Sequence, residues 1–222
     1  MQNKFIGIIF FVLFSLSGEL IAQIIPYDSE LLSENYQQKI KSFRSKEEAS
    51  FRDKKTTLLS EEFFPRFTGL NYFPIDKQFR VLGTLTKLSE QKKTDLEMTG
   101  GGYYGFVHYG RVNFVFQGQE VELQVFEFPS QEPKATAIFL PFRDATTGKE
   151  TYGGGRFMIV NIPQDNKIVV DFNHAINPIC VYDPDHACPV PPLTNRITSR
   201  VTAGAKMYYD PKDVAGKLSS QN

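Results

Sequence analysis

The residues that could do chemistry are concentrated between positions 152 and 192. This stretch contains both cysteines of the chain, Cys180 and Cys188, and two of its three histidines, His174 and His186. Imidazole and thiolate groups are ligands that Zn²⁺ prefers, so these four residues could form a metal centre. Their spacing, however, matches no familiar zinc pattern, and two ligands one residue apart rarely chelate well. We therefore expect no metal and no other cofactor.

The two cysteines allow two further chemistries. In an exported protein they would form a disulfide that closes a proline-rich loop. Alternatively, Cys180 could be a nucleophile with His174 as base and Asp171 as the orienting carboxylate, since a triad acts by geometry and not by order in the chain. Strand alternation places Asp171 and His174 on different faces. We favour the disulfide between Cys180 and Cys188 and leave the catalytic residues unassigned.

A second set of polar residues lies where the predicted strands end. Glycines let a backbone approach a ligand closely and can present N–H groups to an anion, and a neighbouring arginine adds a bidentate donor. The same side chains could instead pair with one another in a structural network. Both interpretations stay open. The residues of this predicted ligand-binding set are Arg143, Asp144, Tyr152, Gly153, Gly154, Gly155, Arg156, Asp171, Asn173 and Asn177.

Two function classes follow from this set. A small-ligand-binding or structural module would use the polar groups to hold an unknown small molecule or a component of the cell envelope. The alternative is an extracytoplasmic hydrolase that uses a cysteine or aspartate between residues 144 and 188, namely Asp171, Cys180 or Asp144. Whether the protein is an enzyme stays open at this point.

The first residues predict a signal peptide. Lys4 supplies a positive n-region, residues 5–16 are an unbroken apolar run, and residues 17–22 provide a small-residue cleavage site. A membrane-spanning helix needs about 20 apolar residues, and this run is shorter. The sequence therefore predicts a signal peptide over residues 1–22 and a periplasmic or secreted protein, with no stable membrane insertion after the signal is removed.

The charge balance excludes one class of partner. The chain has 25 Lys and Arg residues against 25 Asp and Glu residues, which leaves it formally neutral. A neutral surface offers no electrostatic attraction for the phosphates of nucleic acid, so we expect no nucleic-acid partner. The 20 Phe and 10 Tyr residues, with no Trp, indicate a core that is built largely from aromatic rings.

A helical arm is predicted over residues 23–60. Asp28 or Ser29 can cap it, and apolar residues then recur at helical spacing, namely Leu32, Tyr36, Ile40 and Phe43. The charged segment that follows predicts either a solvated continuation of this helix or a short linker.

Short strands separated by turns then predict a single β-rich domain over residues 61–210. The predicted strands cover residues 79–87, 103–116, 121–125, 137–140, 157–160, 167–170 and 201–209. Apolar residues on either side of Gln117-Gly118 predict a hairpin with one buried face. The fold class is mainly β, an antiparallel β-sandwich or partly closed barrel with an N-terminal helical arm. Residues 211–222 are predicted to be a tail.

Three long motifs carry a resemblance to a known family. They are FTGLNYFPID, FLPFRDATTGKETYGGGRFM and DFNHAINPICVYDPDHACPVPPLTN, and they extend over residues 67–206. In these motifs the chain resembles the bacterial domain-of-unknown-function family 1684, which implies an architecture but no assigned activity. The family pattern includes both cysteines and does not require histidine at His174 or His186. The resemblance therefore weakens the zinc site and the histidine-based triad together.

Overall fold

The computed structural model describes residues 35–128 and 136–208. The predicted signal peptide, the predicted caps at Asp28 and Ser29, and the predicted tail lie outside the described residues. Those interpretations stay predictions. No helix in the two described ranges combines the length and the apolar character needed to cross a membrane.

The helical arm is one helix, α1, which spans Tyr36–Arg52. Tyr36, Ile40 and Phe51 are its buried residues, spaced so that they lie on one face. The charged segment from Arg44 onward continues this helix, as one of the two predicted alternatives had it. A short 3₁₀ turn, Phe64–Arg66, and a second, Lys77–Phe79, lead into the sheet.

Six strands follow and form one antiparallel sheet. Their bounds are β1 Arg80–Glu97, β2 Tyr103–Phe116, β3 Gln119–Glu127, β4 Ala137–Phe142, β5 Arg156–Asn161 and β6 Lys167–Asp171. Consecutive strands pair from β1 to β5, and β6 returns to pair with the free edge of β1. Every residue of β4 is buried, whereas β2 alternates over Arg111–Phe116, which matches its position with one face on the core.

The sheet curls into a nearly closed, barrel-like shape. A flat sheet of six strands would hold its two edge strands about 24 Å apart. Yet β5 and β6 are those edges, and only residues 162–166 connect them. Five bent residues do not cover that distance comfortably, since even an extended chain gains only about 3.5 Å per residue. This geometry confirms the prediction of a mainly β, partly closed barrel with a helical arm.

The β2–β3 hairpin is confirmed at the predicted turn. Gln117 and Gly118 both have positive φ, of 50° and 78°, which is the backbone that a two-residue turn between twisted strands requires. Phe114 pairs with Val121 and Val112 with Leu123, so the apolar residues of both strands face the core together.

Strand β1 is about twice as long as predicted. Its second half, from about Lys87 to Asp95, is mostly exposed and highly charged, so it lacks the apolar alternation by which strands are recognised. Pairing with β2 continues there after a register shift between Lys87 and Lys92. Backbone hydrogen bonds therefore extend this ribbon without any help from core packing.

The strand predicted over residues 201–209 is wrong for the residues described. Residues 201–208 form no strand, and Tyr72–Ala205 is an isolated bridge. Gly204 has a φ of +73°, which interrupts an extended chain. The physical reason is that the carbonyl groups of this segment accept hydrogen bonds from a buried arginine instead of from a neighbouring strand.

A buried hydrogen bond docks α1 on the sheet. The Tyr36 hydroxyl donates to the carboxylate of Asp171 at the end of β6, with Oη–Oδ2 of 2.9 Å. Burial alone would raise the pKa of Asp171, but the hydrogen bond and charge of His174 and two hydrogen bonds from Asn173 outweigh it. The pKa of Asp171 therefore lies below its ordinary value, and the carboxylate is ionised at neutral pH.

We expect Tyr36→Phe to destabilise the fold by about 1.5–3 kcal/mol at pH 7, because a hydrogen bond to a buried charge is lost. The depressed pKa means that this stabilisation is complete above the unfolded pKa of about 4 and is lost as pH falls through the folded pKa. Urea unfolding at pH 7 and at pH 3 measures both effects. Tyr103→Phe, at an exposed tyrosine, is the control. An equal loss at both pH values would contradict a charge-assisted bond.

Candidate functional site

The predicted polar set separates into distinct clusters in the structure. The first is built around Arg156, the first residue of β5, which is 2% exposed. Its Nη2 donates to the carbonyl of Val201 at 2.9 Å, and its Nη1 donates to the carbonyls of Ala203 and Ala205. Burial lowers the pKa of Arg156 to about 10, with the carboxylate of Asp144 opposing the shift. Arg156 therefore remains charged at neutral pH.

Asp144 balances this buried charge. One of its oxygens lies 3.4 Å from Nη2 of Arg156 and the other accepts the backbone N–H of Val201 at 2.7 Å. The hydroxyl and backbone N–H of Thr146 also donate to the carboxylate. Because the protein itself occupies these hydrogen-bonding positions, the structural interpretation accounts for Asp144 and Arg156.

The glycine run also serves packing. Gly155 has a φ of +94°, and a Cβ built there would lie 2.8 Å from the carbonyl oxygen of Phe142. A Cβ on Gly154 would meet the ring of Tyr152 at 2.3 Å. These two positions need glycine for close contact within the protein. Gly153 precedes them in the chain. Cγ of Arg143 lies 3.2 Å from the Cβ built at Gly155, and Nε of Arg143 is buried without a hydrogen-bond partner.

The second cluster joins Asp171 and Asn173 to Tyr36. The Asn173 side chain donates to Asp171, to the Tyr36 hydroxyl and to the carbonyl of Asp76, while its Oδ1 accepts the N–H of Asp76. Arg80, which is almost fully buried, has its Nε 3.8 Å from Asp171. Asp171 and Asn173 are thus brought together, but as the joint between helix and sheet.

The cysteines form a third cluster. The N–H of Cys180 donates to Sγ of Cys188 at 3.1 Å, and Sγ of Cys180 lies 3.7 Å from the hydroxyl of Tyr152. Both residues are thiols in the structure. Hydrogen bonding from Cys188 lowers the pKa of Cys180 to about 7, against the effect of burial, whereas the pKa of Cys188 is raised. The disulfide stays a prediction, and the close approach of the two residues is compatible with it.

Each of the two histidines lies beside an aspartate. His174 has its Nδ1 3.5 Å from Asp171 and packs against the ring of Phe43, and His186 has its Nδ1 3.0 Å from Asp183. Within the described part of the chain, no three His, Cys, Asp or Glu side chains are grouped so that they could hold a metal ion. The imidazole of His174 interacts with Asp171 and not with Cys180.

The fourth location contains a pocket between α1 and the irregular segments that hold Tyr72, Asn177 and Ala205. Asn177, which is 5% exposed, donates from Nδ2 to the carbonyl of Lys206 at 2.8 Å and to the hydroxyl of Tyr182 at 3.2 Å. Its Oδ1 is buried and has no hydrogen-bond partner. The pocket has a volume of about 40 Å³ and is lined by Glu47, Ser50, Phe51, Leu58, Tyr72, Ile176, Asn177, Tyr182 and Ala205.

Sequence reasoning finds only Asn177 of these lining residues. Glu47 and Tyr72 lie more than 100 positions before Asn177 in the chain, and Tyr182 is not part of the predicted ligand-binding set. One signal was present, since Glu47 follows Tyr36, Ile40 and Phe43 on the helical stripe that faces the sheet. Burial raises the pKa of Glu47 to about 7, with His174 opposing the shift. A glutamate on the otherwise apolar face of the helix is therefore the sequence signal that could have indicated the pocket.

The described residues form a curled antiparallel sheet with one helix packed on it, buried polar clusters, and a pocket between that helix and irregular segments. Residues 65–206 match the family described as Protein of unknown function (DUF1684). The chain belongs to this family, as the resemblance in its motifs predicts.

A solved structure has the same architecture. It is the solution NMR structure of an uncharacterized protein from Haloarcula marismortui, and it is 30% identical to this chain. The alignment covers 78% of this chain and 95% of that one, with a TM-score of 0.62. No curated protein matches the chain. Family and relative alike have no assigned activity.

The buried pair of Asp144 and Arg156 gives a direct test of its structural role. We expect Asp144→Ala to destabilise the fold by about 3–5 kcal/mol, because it leaves a buried guanidinium without its counter-charge. The double variant Asp144→Ala/Arg156→Met should recover part of this loss. Urea unfolding measures both, with Asp185→Ala at an exposed carboxylate as the control. Strictly additive losses would show that the two side chains are not coupled.

Proposed function

We propose that this protein is an exported module that binds a small molecule in the pocket beneath α1. The observation that carries the proposal is Asn177, a residue that lines the pocket and whose buried Oδ1 is an acceptor without a hydrogen-bond partner. Ligand sites are concave and mostly apolar, with a few placed polar groups that fix orientation. The rings of Phe51, Tyr72 and Tyr182 with the polar groups of Glu47 and Asn177 have this composition.

Four other residues of the predicted set do not line the pocket but form hydrogen bonds that hold the surrounding structure. Asp144, Arg156, Asp171 and Asn173 use their hydrogen bonds inside the protein, which makes them the frame of the pocket. Asn177 alone combines a bonded nitrogen with an unbonded oxygen. A buried acceptor without a partner costs about 1–3 kcal/mol, and a ligand that donates a hydrogen bond would recover it.

The hydrolase alternative has little geometric support. Asp144 and Asp171 are both at most 5% exposed and are surrounded by donors, so neither is placed to meet a substrate. Cys180 has its pKa near neutrality, but its neighbours are Cys188 and Tyr152. A thiolate beside a second thiol is the arrangement that leads to a disulfide in an oxidising compartment. Export and a Cys180–Cys188 disulfide therefore belong to the same proposal.

The pocket is tested with two leucine substitutions on α1. Ser50 lines the pocket, and its hydroxyl bonds only its own helix, at the carbonyl of Glu47. We expect Ser50→Leu to fill the pocket and abolish binding, whereas Ser45→Leu at an exposed position of α1 leaves binding unchanged. A fragment set of amines, carboxylates, amides and sugars is titrated into ¹⁵N-labelled protein, and the amide signals of Ile176, Asn177 and Tyr182 are followed.

The wild-type and Ser45→Leu proteins should show saturable shifts with at least one fragment, and Ser50→Leu should show none. Absence of any pocket shift in the wild-type protein would contradict the proposal. Shifts that survive in Ser50→Leu would contradict it as well, because they would place the site elsewhere.

Export and the disulfide are tested by one mass measurement. The full chain, expressed with its N-terminus intact, should be recovered outside the cytoplasm beginning at Gln23, with no thiol that reacts with iodoacetamide before reduction and both reacting after it. Leu13→Arg, which interrupts the apolar run of the signal, should retain the chain in the cytoplasm. Recovery of uncleaved wild-type chain, or two reactive thiols in the exported protein, would contradict the corresponding part.

A further inference from the structure

The pocket beneath α1 is rich in hydrogen-bond acceptors. Its polar lining includes the carboxyl group of Glu47, the unpartnered Oδ1 of Asn177 and the hydroxyl of Tyr182, which already accepts a hydrogen bond from Asn177. None of the described residues that line it is Lys or Arg. The carboxylate of Glu47 forms no salt bridge with any described residue. The described lining therefore carries no positive charge, and its side-chain donors outside the amide of Asn177 are the hydroxyl groups of Ser50, Tyr72 and Tyr182.

Aromatic rings form much of the remaining wall. Phe51 and Tyr182 meet edge to face with centroids 4.6 Å apart, and Tyr72 also lines the pocket. Ring faces attract cations through their quadrupole, and carboxylates beside rings add a full opposite charge. Apolar rings also make the removal of water inexpensive for a weakly hydrated organic cation.

The size of the pocket limits what can enter. A volume of about 40 Å³ is several times the roughly 10–15 Å³ that one water needs, so it has room for an ammonium group bearing a small carbon substituent. Larger parts of a ligand would have to remain outside. Five of the nine lining residues are half-buried, namely Glu47, Ser50, Leu58, Tyr72 and Ile176.

We propose that this pocket recognises the ammonium head of a small organic amine, with Glu47 and Asn177 Oδ1 accepting its hydrogen bonds and the aromatic rings packing around it. The inference rests on the proposed ligand-binding function and adds the chemical class of the ligand. An ammonium group supplies three donors to the acceptors of Glu47 and Asn177, and it supplies the positive charge that the described lining lacks. A carboxylate or phosphate would instead meet the carboxylate of Glu47 at close range.

The charged groups around Glu47 allow this assignment. His174, from the turn after β6, and Tyr72, from the loop before β1, both interact electrostatically with Glu47, as does Tyr182. On α1 itself, Glu48 accepts the N–H of Leu70. Arg44, also on α1, has its guanidinium over the ring of Tyr72 and donates to the carbonyl of Phe73.

The protonation of Glu47 makes binding dependent on pH. With a pKa of about 7, Glu47 is largely protonated at pH 5.5 and largely ionised at pH 8. An alkylammonium stays protonated over this range, since its pKa is close to the value of about 10.4 for lysine. Only the ionised carboxylate of Glu47 attracts the ammonium group. The apparent affinity for an alkylammonium should therefore rise at least about tenfold from pH 5.5 to pH 8.

The experiment titrates three probes of similar size into the wild-type protein, namely ethylammonium, ethanol and acetate, with the amide signals of the pocket as the readout. We expect ethylammonium to bind most tightly at pH 8 and to weaken at pH 5.5. Glu47→Gln, which keeps the shape and removes the charge, should weaken ethylammonium about tenfold or more and abolish the dependence on pH. Glu61→Gln, at an exposed carboxylate, should change neither.

The outcomes separate the two proposals. Pocket shifts with ethanol or acetate that match or exceed those with ethylammonium would overturn the amine inference and leave ligand binding intact. Equal affinity of ethylammonium for the wild-type and Glu47→Gln proteins would overturn it too. If none of the probes and none of the wider fragment set shifts the pocket, which then holds only water, both proposals fail.

Discussion

The structure depends on the burial of one arginine. A guanidinium carries five donors and cannot lose its charge inside a protein, so every element around Arg156 has to supply an acceptor. Asp144 supplies the counter-charge, and the carbonyls of Val201, Ala203 and Ala205 accept hydrogen bonds from Nη1 and Nη2, whereas the buried Nε has no hydrogen-bond partner. This demand draws the C-terminal segment across the barrel as irregular chain. A strand there would direct the same carbonyls toward a neighbouring strand and leave the arginine unsatisfied.

The position of that segment determines the pocket. Ala205 is part of the lining, and its N–H donates to the carbonyl of Ala175. The next carbonyl, of Lys206, accepts the side-chain nitrogen of Asn177 and so orients its amide. The opposite wall comes from α1, whose placement depends on the bond from Tyr36 to Asp171. Two buried charges, neither of which touches the pocket, thus hold its two sides in place.

Features that depend on neighbouring residues could be predicted from the sequence, whereas contacts between distant residues could not. The Gln117-Gly118 turn and the apolar alternation beside it are local signals, and they predict the hairpin correctly. The second half of β1 is exposed and charged, so it gives no apolar signal. The sequence alone identifies the polar residues from Asp144 to Asn177 as a set that lies at the ends of strands. Their partners could not be identified, because Tyr36 lies 135 positions from Asp171 and the two meet only after the sheet has closed.

Asn177 belongs both to the buried polar frame and to the proposed ligand pocket. An amide side chain is planar, with its donor and acceptor pointing in different directions, so committing Nδ2 to Lys206 and Tyr182 leaves Oδ1 unbonded in the pocket wall. Serine could donate to one of these partners but not to both. Aspartate could donate to neither, and it would bring a second negative charge close to Glu47. The free energy of unfolding of a protein is only about 5–15 kcal/mol, so an unpaired acceptor that costs about 1–3 kcal/mol removes a large part of it. A ligand that donates a hydrogen bond would remove this cost, and this is the role that we propose for the asparagine.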